Sequence, residues 1–313
     1  MNTAMVGYEH KELAKKQLVE EVMDAYLQEL DTSQKTRSTY QRALRQYGKW
    51  LAEQGLGLED TTRASVLAYK RYLQDTKSAA TTNSYLCAVR SLHSWLNGKV
   101  GYPNVAQGIH GVKAGTNSSK DALTKCEALD LLKCDDTSLG GLRDHAMLAC
   151  MLLQGLRTIE IVRANVGDLR TMGGEAVLWV WGKNRNSPDT FVPLSPESER
   201  SIRAYLSARG KVSDEMPLFV STSNRNNGGR MTTRSVSRVA KSHMKAIGID
   251  SQRKTAHSLR HTAITFALLG GASVQEAQTM ARHSDIGTTM IYSHNIDRMQ
   301  AKGERAVASF LGV

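Results

Sequence analysis

A set of side chains suited to phosphate chemistry falls between residues 257 and 292. His257-Ser258-Leu259-Arg260-His261 is followed by an apolar helical stretch, then His283-Ser284-Asp285, and finally Thr288-Thr289-Met290-Ile291-Tyr292. Nucleophilic attack on a phosphodiester wants this mixture: a phenol to attack, a guanidinium fork to hold the non-bridging oxygens, and imidazoles to manage protons and charge. His257 and Arg260 are three apart and share one face of a helix. His261 lies four from His257, a spacing that some zinc sites use. No Glu-flanked pattern or third ligand accompanies the pair, and His261 is expected to support the fold. Tyr292 closes the set, where a mobile segment can deliver it to the others. An unperturbed phenol has a pKa of about 10, so it needs cations or a base beside it as it attacks. Taken singly, a tyrosine on an apolar helix packs a core and a histidine near a helix start belongs to the cap; the combination carries the chemistry.

Two upstream stretches can complete such a site. Gly155-Leu156-Arg157-Thr158-Ile159-Glu160 reads as a tight glycine turn opening a helix. A guanidinium there can place two donors on a phosphate, with helix N–H groups adding positive potential. Glu160, one turn on, can buttress an arginine or complement the helix dipole. Ala176 to Trp181 and Thr190 to Leu194 are β-rich and joined by Gly-Lys-Asn-Arg-Asn-Ser-Pro-Asp, a hairpin whose basic tip carries Lys183 and Arg185.

The elements that must position these residues are mostly helices. From Val19 to Leu96, apolar residues recur at three- and four-residue spacing: Val22, Tyr26, Leu27, Leu30; Tyr40, Ala43, Leu44, Tyr47, Leu51; Tyr85, Val89, Leu92, Leu96. Thr36-Arg37-Ser38-Thr39 and Ala80-Thr81-Thr82-Asn83 are placed as N-caps, with Gly55, Gly57, Gly98, Gly101 and Pro103 as stops. This predicts a bundle of four or five helices over 19–107, after an N-terminal extension, 1–18. Residues 108–121, rich in Gly, Ser and Lys, read as a linker, either an exposed hinge or a strap along a phosphate backbone. Beyond it, helices are predicted over 123–132, 142–153, from Gly155, 198–208, 232–247 and 258–269. The chain is thus mainly α with one small β-sheet, its second domain spanning 122–297 and a tail 298–313.

Composition fits this picture. The chain has 313 residues, enough for two domains, with 41% hydrophobic and 23% charged side chains. A net charge of +11 and a pI near 9.5 favour a polyanionic partner. Cys87, Cys126, Cys134 and Cys150 lack zinc-type spacing and read as thiols of a reducing compartment. The start of the chain lacks a signal-peptide core, and the longest apolar run, around Ala146 to Leu153, is too short for a bilayer; a cytoplasmic protein is expected, with no membrane partner.

The motifs around Arg157, Lys183, His257-Ser258-Leu259-Arg260-His261, His283-Ser284 and Thr288-Thr289-Met290-Ile291-Tyr292-Ser293-His294, in this order, resemble the catalytic domain of the tyrosine recombinases, the phage integrase family. The N-terminal bundle is similar to that family's helical, SAM-like core-binding domain, with Xer-type and mobile-element integrases closest in layout. The resemblance implies an α+β catalytic domain and a site of Arg157, Lys183, His257, Arg260, His283 and the nucleophile Tyr292. Glu160 supports it, Lys183 is the general acid on the leaving 5′-oxygen, and His283 bonds the phosphate. Ala281-Arg282 departs from the family's usual Leu-Gly before that histidine, so Arg282 either adds a phosphate contact or alters the turn. The implied reaction is strand exchange through a 3′-phosphotyrosyl link, with no ATP, metal or other cofactor. The implied partner is double-stranded DNA with short inverted core sites, contacted by Thr36, Arg37, Asn83, Arg90, Arg185 and Arg282. A homotetramer on two sites is expected, its tail stripe of Ala306, Val307, Phe310 and Leu311 packing on a neighbouring protomer, with a directionality factor as a possible accessory. Integration or excision of a mobile element is the expected role; alternatives are Xer-type dimer resolution, a DNA-relaxing topoisomerase, and a DNA-binding regulator without catalysis.

Overall fold

The computed structural model describes residues 17–113, 121–133, 136–181 and 189–300, together with Val307, Phe310 and Leu311. Two compact units divide the chain, Met1–Gly115 and Thr116–Val313.

The first unit is a helical bundle: α1 (17–29), α2 (Gln34–Glu53), α3 (Arg63–Thr76) and α4 (Ala79–Val100). The spaced apolar residues face inward as the periodicity requires. Tyr26, Leu44, Tyr47, Leu51, Tyr69, Leu73, Leu86 and Leu92 are buried in one core. The helix starts differ from those expected. Ser33 and Ser78 are the N-caps, accepting from Thr36 N at 3.2 Å and Thr81 N at 3.3 Å, so Thr36–Thr39 and Ala80–Asn83 already lie inside helices. Gly98 also lies within α4, and Gly101, at φ +68°, ends it.

The expected linker begins too early. Ile109 is buried in the bundle core, and side chains of α3 and α4 hold the following backbone. Arg90 donates to Ile109 O at 3.1 Å, Lys70 to His110 O at 2.8 Å, and Asn83 exchanges bonds with both polar groups of Val112. A Gly- and Lys-rich composition concealed this, because side chains from elsewhere satisfy the backbone. Residues 114–120 lie outside the described ones.

The second unit comprises α5 (Lys125–Leu131), α6 (Leu139–Leu153), α7 (Thr158–Arg163), strands β1 (Leu169–Met172), β2 (Glu175–Val180) and β3 (Thr190–Pro193), then α8 (Pro196–Arg209), α9 (Thr233–Ala246), α10 (Ala256–Leu269), α11 (Val274–Ala281) and α12 (Ile286–Gln300). The sheet is antiparallel in the order β1-β2-β3. Helix α6 runs through the core. Met147, Leu148, Cys150 and Met151 are buried against Ile202 and Tyr205 of α8, Leu178 of β2 and Leu259 of α10. Truncating such a side chain costs roughly 2–5 kcal/mol. The sequence reading did not include β1 or α11. No described helix is long and apolar enough to cross a membrane.

Candidate active site

The site is built where the turn before α7 meets the turn after α11. Gly155 adopts φ +61°, and a Cβ there would sit 3.5 Å from both Ala263 and Met280. That turn aims its carbonyl at α10, where Arg260 Nη1 donates to it at 2.6 Å. Arg260 is 2% exposed and also donates through Nη2 to Ala281 O. Burial, reinforced by the charges of Arg157 and Arg282, lowers its guanidinium to about 9, so it stays cationic at neutral pH.

Arg157 is the N-cap of α7. Its Nη1 donates to Glu160 Oε1 at 2.7 Å, and its Nη2 reaches Ala281 O at 3.3 Å and Arg282 O at 3.1 Å. Two guanidiniums therefore converge on the carbonyls of a single turn. Glu160 is 3% exposed and also accepts from the Arg157 backbone N–H at 2.7 Å. Burial alone would raise its carboxyl; the Arg282 and Arg157 charges and their hydrogen bonds prevail and hold it below the usual carboxylate range.

Arg282 was expected either to contact phosphate or to alter the turn, and its backbone is left-handed, at φ 52°. Its side chain, 13% exposed, folds inward onto Glu160 Oε2 at 2.8 Å. The physical reason is the buried carboxylate, which needs a second cation once it is out of water.

His283 follows directly, its Nδ1 2.9 Å from the Oγ1 of buried Thr289 on α12. Burial first, then the Arg260, Arg157 and Arg282 charges, bring its imidazole down to about 4. Tyr292, also on α12, packs against Ile264, Ala277 and Ala281. Burial pushes its phenol up to about 12, with the Arg260 charge opposing. The ring of His261 lies 5.1 Å from that of Tyr292 and 4.7 Å from that of His257, between the two along one face of α10. No third His, Cys, Asp or Glu is placed to make the two histidines a metal site among the described residues. His261, expected only to support the fold, is thus in the site. Its four-residue spacing from His257 was the available signal. Burial and the neighbouring His257 and Arg260 bring it to about 4.

Lys183 and Arg185 fall outside the described residues. In the bundle, Asn83 and Arg90 are occupied in holding residues 109–112, Arg37 donates to Leu30 O at 3.0 Å, and Thr36 lies in the first turn of α2 beside its cap, Ser33.

Comparison with known proteins gives this geometry a family. Residues 121–299 match the model of the phage integrase family, and residues 23–99 match its N-terminal SAM-like domain. The chain belongs to the phage integrase family. It is therefore a tyrosine recombinase, and its relatives carry that name. Tyrosine recombinase XerD of Lacticaseibacillus casei is 28% identical over 273 residues, covering 83% of this chain and 87% of that one. Tyrosine recombinase XerC of Pelobacter propionicus is 34% identical over 167 residues, 53% of this chain; that match spans about half (52%) of the relative. Among solved structures, XerH recombinase bound to its palindromic difH substrate shares the fold with a TM-score of 0.73 at 17% identity, covering 87% of this chain and 80% of that one. A lambda integrase tetramer on a Holliday junction gives 0.68 at 17%, covering 87% and 76%. In this tyrosine recombinase the mainly helical fold expected from the sequence is present, with a helical first unit and the small sheet in the second.

Proposed function

We propose that this recombinase cuts a DNA strand by attack of the Tyr292 phenol on a phosphodiester, forming a 3′-phosphotyrosyl link and releasing a 5′-hydroxyl. A 5′-hydroxyl of the partner strand then attacks that link and restores the phosphodiester, so the bond energy is kept in the protein–DNA ester. Arg157 and Arg260 hold the non-bridging oxygens, and His283 and His257 bond the phosphate and accept the phenol's proton. The arrival of a phosphate dianion-like transition state beside His283 favours its protonated form, reversing the resting bias toward neutral imidazole. Lys183 protonates the leaving oxygen. The observation that carries this reading is the convergence of both guanidiniums on one turn, with His283 next in sequence and the Tyr292 ring 5.1 Å from that of His261 on the helix that carries Arg260.

The partner is double-stranded DNA with short inverted core sites, bound by the bundle and the catalytic unit of a cytoplasmic protein. Four copies act on two sites, an assembly for which the lambda integrase tetramer is a model, and a directionality factor biases the outcome. Integration or excision of a mobile element is the role proposed; the coverage of XerD along most of both chains favours dimer resolution as the second reading.

A nicked suicide duplex, which traps the covalent product, tests the chemistry. Wild-type protein is expected to accumulate a protein–DNA adduct that Tyr292→Phe does not form. Cleavage persisting in Tyr292→Phe would sink the assignment, and failure to join strands between two duplexes would leave a topoisomerase. Sequencing the DNA trapped on Tyr292 separates the two biological roles.

A further inference from the structure

Arg282 is the one described non-glycine residue with positive φ, at φ 52° and ψ 46°. A left-handed backbone is unfavourable for an ordinary side chain, so something in the surroundings must hold it there. The side chain supplies the reason. Its Nη1 donates to Met280 O at 2.6 Å, and its Nη2 bonds Glu160 Oε2 at 2.8 Å and reaches Gly155 O at 3.4 Å. One guanidinium thus ties the end of α11 to the turn and first helical residues of α7. The backbone it braces is the one the clamp uses: the 281 carbonyl accepts from both Arg157 and Arg260, and the 282 carbonyl accepts from Arg157. Glu160 is meanwhile shared between Arg157 and Arg282.

We infer that Arg282 is a positioning residue for the phosphate clamp, acting through Glu160 and the 281–282 carbonyls rather than by touching DNA. Of the three guanidiniums in this cluster, those of Arg157 and Arg282 bond the one carboxylate, while Arg260 bonds backbone oxygens. With Arg282 holding Glu160 Oε2, Arg157 can exchange its own bond to that carboxylate for one to a phosphate without leaving a buried anion unpaired. The same brace sets the direction in which His283 leaves the turn.

The inference rests on the proposed phosphotyrosyl chemistry, and its test separates the two. Glycine tolerates a left-handed φ, so Arg282→Gly removes the guanidinium while keeping the turn. Single-turnover cleavage of the suicide duplex and equilibrium binding to the same DNA are measured for wild type, Arg282→Gly, Arg282→Lys, Glu160→Gln and the Glu160→Gln/Arg282→Gly double variant, with Tyr292→Phe in parallel. Arg282→Gly is expected to slow cleavage by roughly 10- to 100-fold, as misplacement of a clamp group does, with Kd unchanged within about 2-fold. Arg282→Lys should recover only part of the rate, since a point charge cannot replace the fork. The double variant should lose no more than the worse single one. Wild-type cleavage by Arg282→Gly, additive losses in the double variant, or weaker binding with a salt slope smaller by about 1, the mark of a lost phosphate contact, would each overturn it. An adduct formed by Tyr292→Phe would instead overturn the underlying chemistry.

Discussion

Gly155 carries as much of the site as any charged residue, because its carbonyl is one of two backbone acceptors that fix the buried Arg260. Gly155→Ala forces a Cβ into a left-handed position already 3.5 Å from Ala263 and Met280. The expected loss is about 1–2 kcal/mol of stability, read by urea unfolding. Cleavage should fall by roughly 10-fold or more as Arg260 shifts; an unchanged cleavage rate in the folded variant would show that Arg260 is fixed by other means. At this scale chemistry and spacing singled out Arg157, Glu160, Arg260, His283 and Tyr292, which the structure gathers around the turn after α11, in the roles proposed above. The sequence was illegible where a long side chain chooses its partner. For Arg282 the sequence left a phosphate contact and an altered turn both open, and only the placement of α7 beside the end of α11 reveals the buried carboxylate that draws it in. His261 was read as a residue of the fold because its spacing from His257 announces no third neighbour, and its contact with Tyr292 depends on how α12 folds back onto α10.

At the scale of elements, helices with several large apolar residues declared themselves, while short or weakly apolar ones did not. Helix α11 buries only Ala277 and Ala281, which give little apolar signal, although Ser273 and Glu276 form a capping box that was there to be read. Strand β1 has four residues, largely exposed, so no alternation marked it. Gly173-Gly174, left-handed at both positions between Met172 and Glu175, was its turn signal. Within the bundle, α2 and α4 meet through a buried polar pair, Tyr47 Oη 3.2 Å from His93 Nε2, with His93 fully buried and its Nδ1 without a hydrogen-bond partner. Burial lowers that imidazole to about 4, against about 6.5 in an unfolded chain. The unfolded state therefore binds the proton more readily between those values. The stabilisation is fully present above about pH 6.5, declines as pH falls toward 4, and amounts to about 3 kcal/mol. Protection factors of the α2 and α4 amides in the full chain, which are corrected for the intrinsic pH dependence of exchange, should fall as pH drops through that window, and His93→Gln, which cannot ionise, should flatten the dependence. A wild-type profile as flat as that of His93→Gln would show that burial does not hold His93 neutral.

For the whole molecule, the remaining question is what the exposed apolar residues near the end of the chain are for. Val307, Phe310 and Leu311 are 60%, 91% and 66% exposed; Ala306, which shares the expected stripe, lies outside the described residues. Burying one such side chain is worth roughly 1.5–3 kcal/mol, so three together are enough to bias an association without holding it alone. A net charge of +11 opposes self-association of free protomers, whereas DNA neutralises that charge and brings copies together. The stripe should consequently act only on DNA. Phe310→Asp with Leu311→Asp is expected to leave the stability of the free protein within about 0.5 kcal/mol, as surface changes do, while abolishing the proposed four-protomer complex on two duplexes, measured by light scattering, and the strand joining proposed to depend on it. If the double variant instead lost stability as a free protomer and still assembled on DNA, the stripe would be packing within its own chain, and coupling between protomers would have to come from another surface.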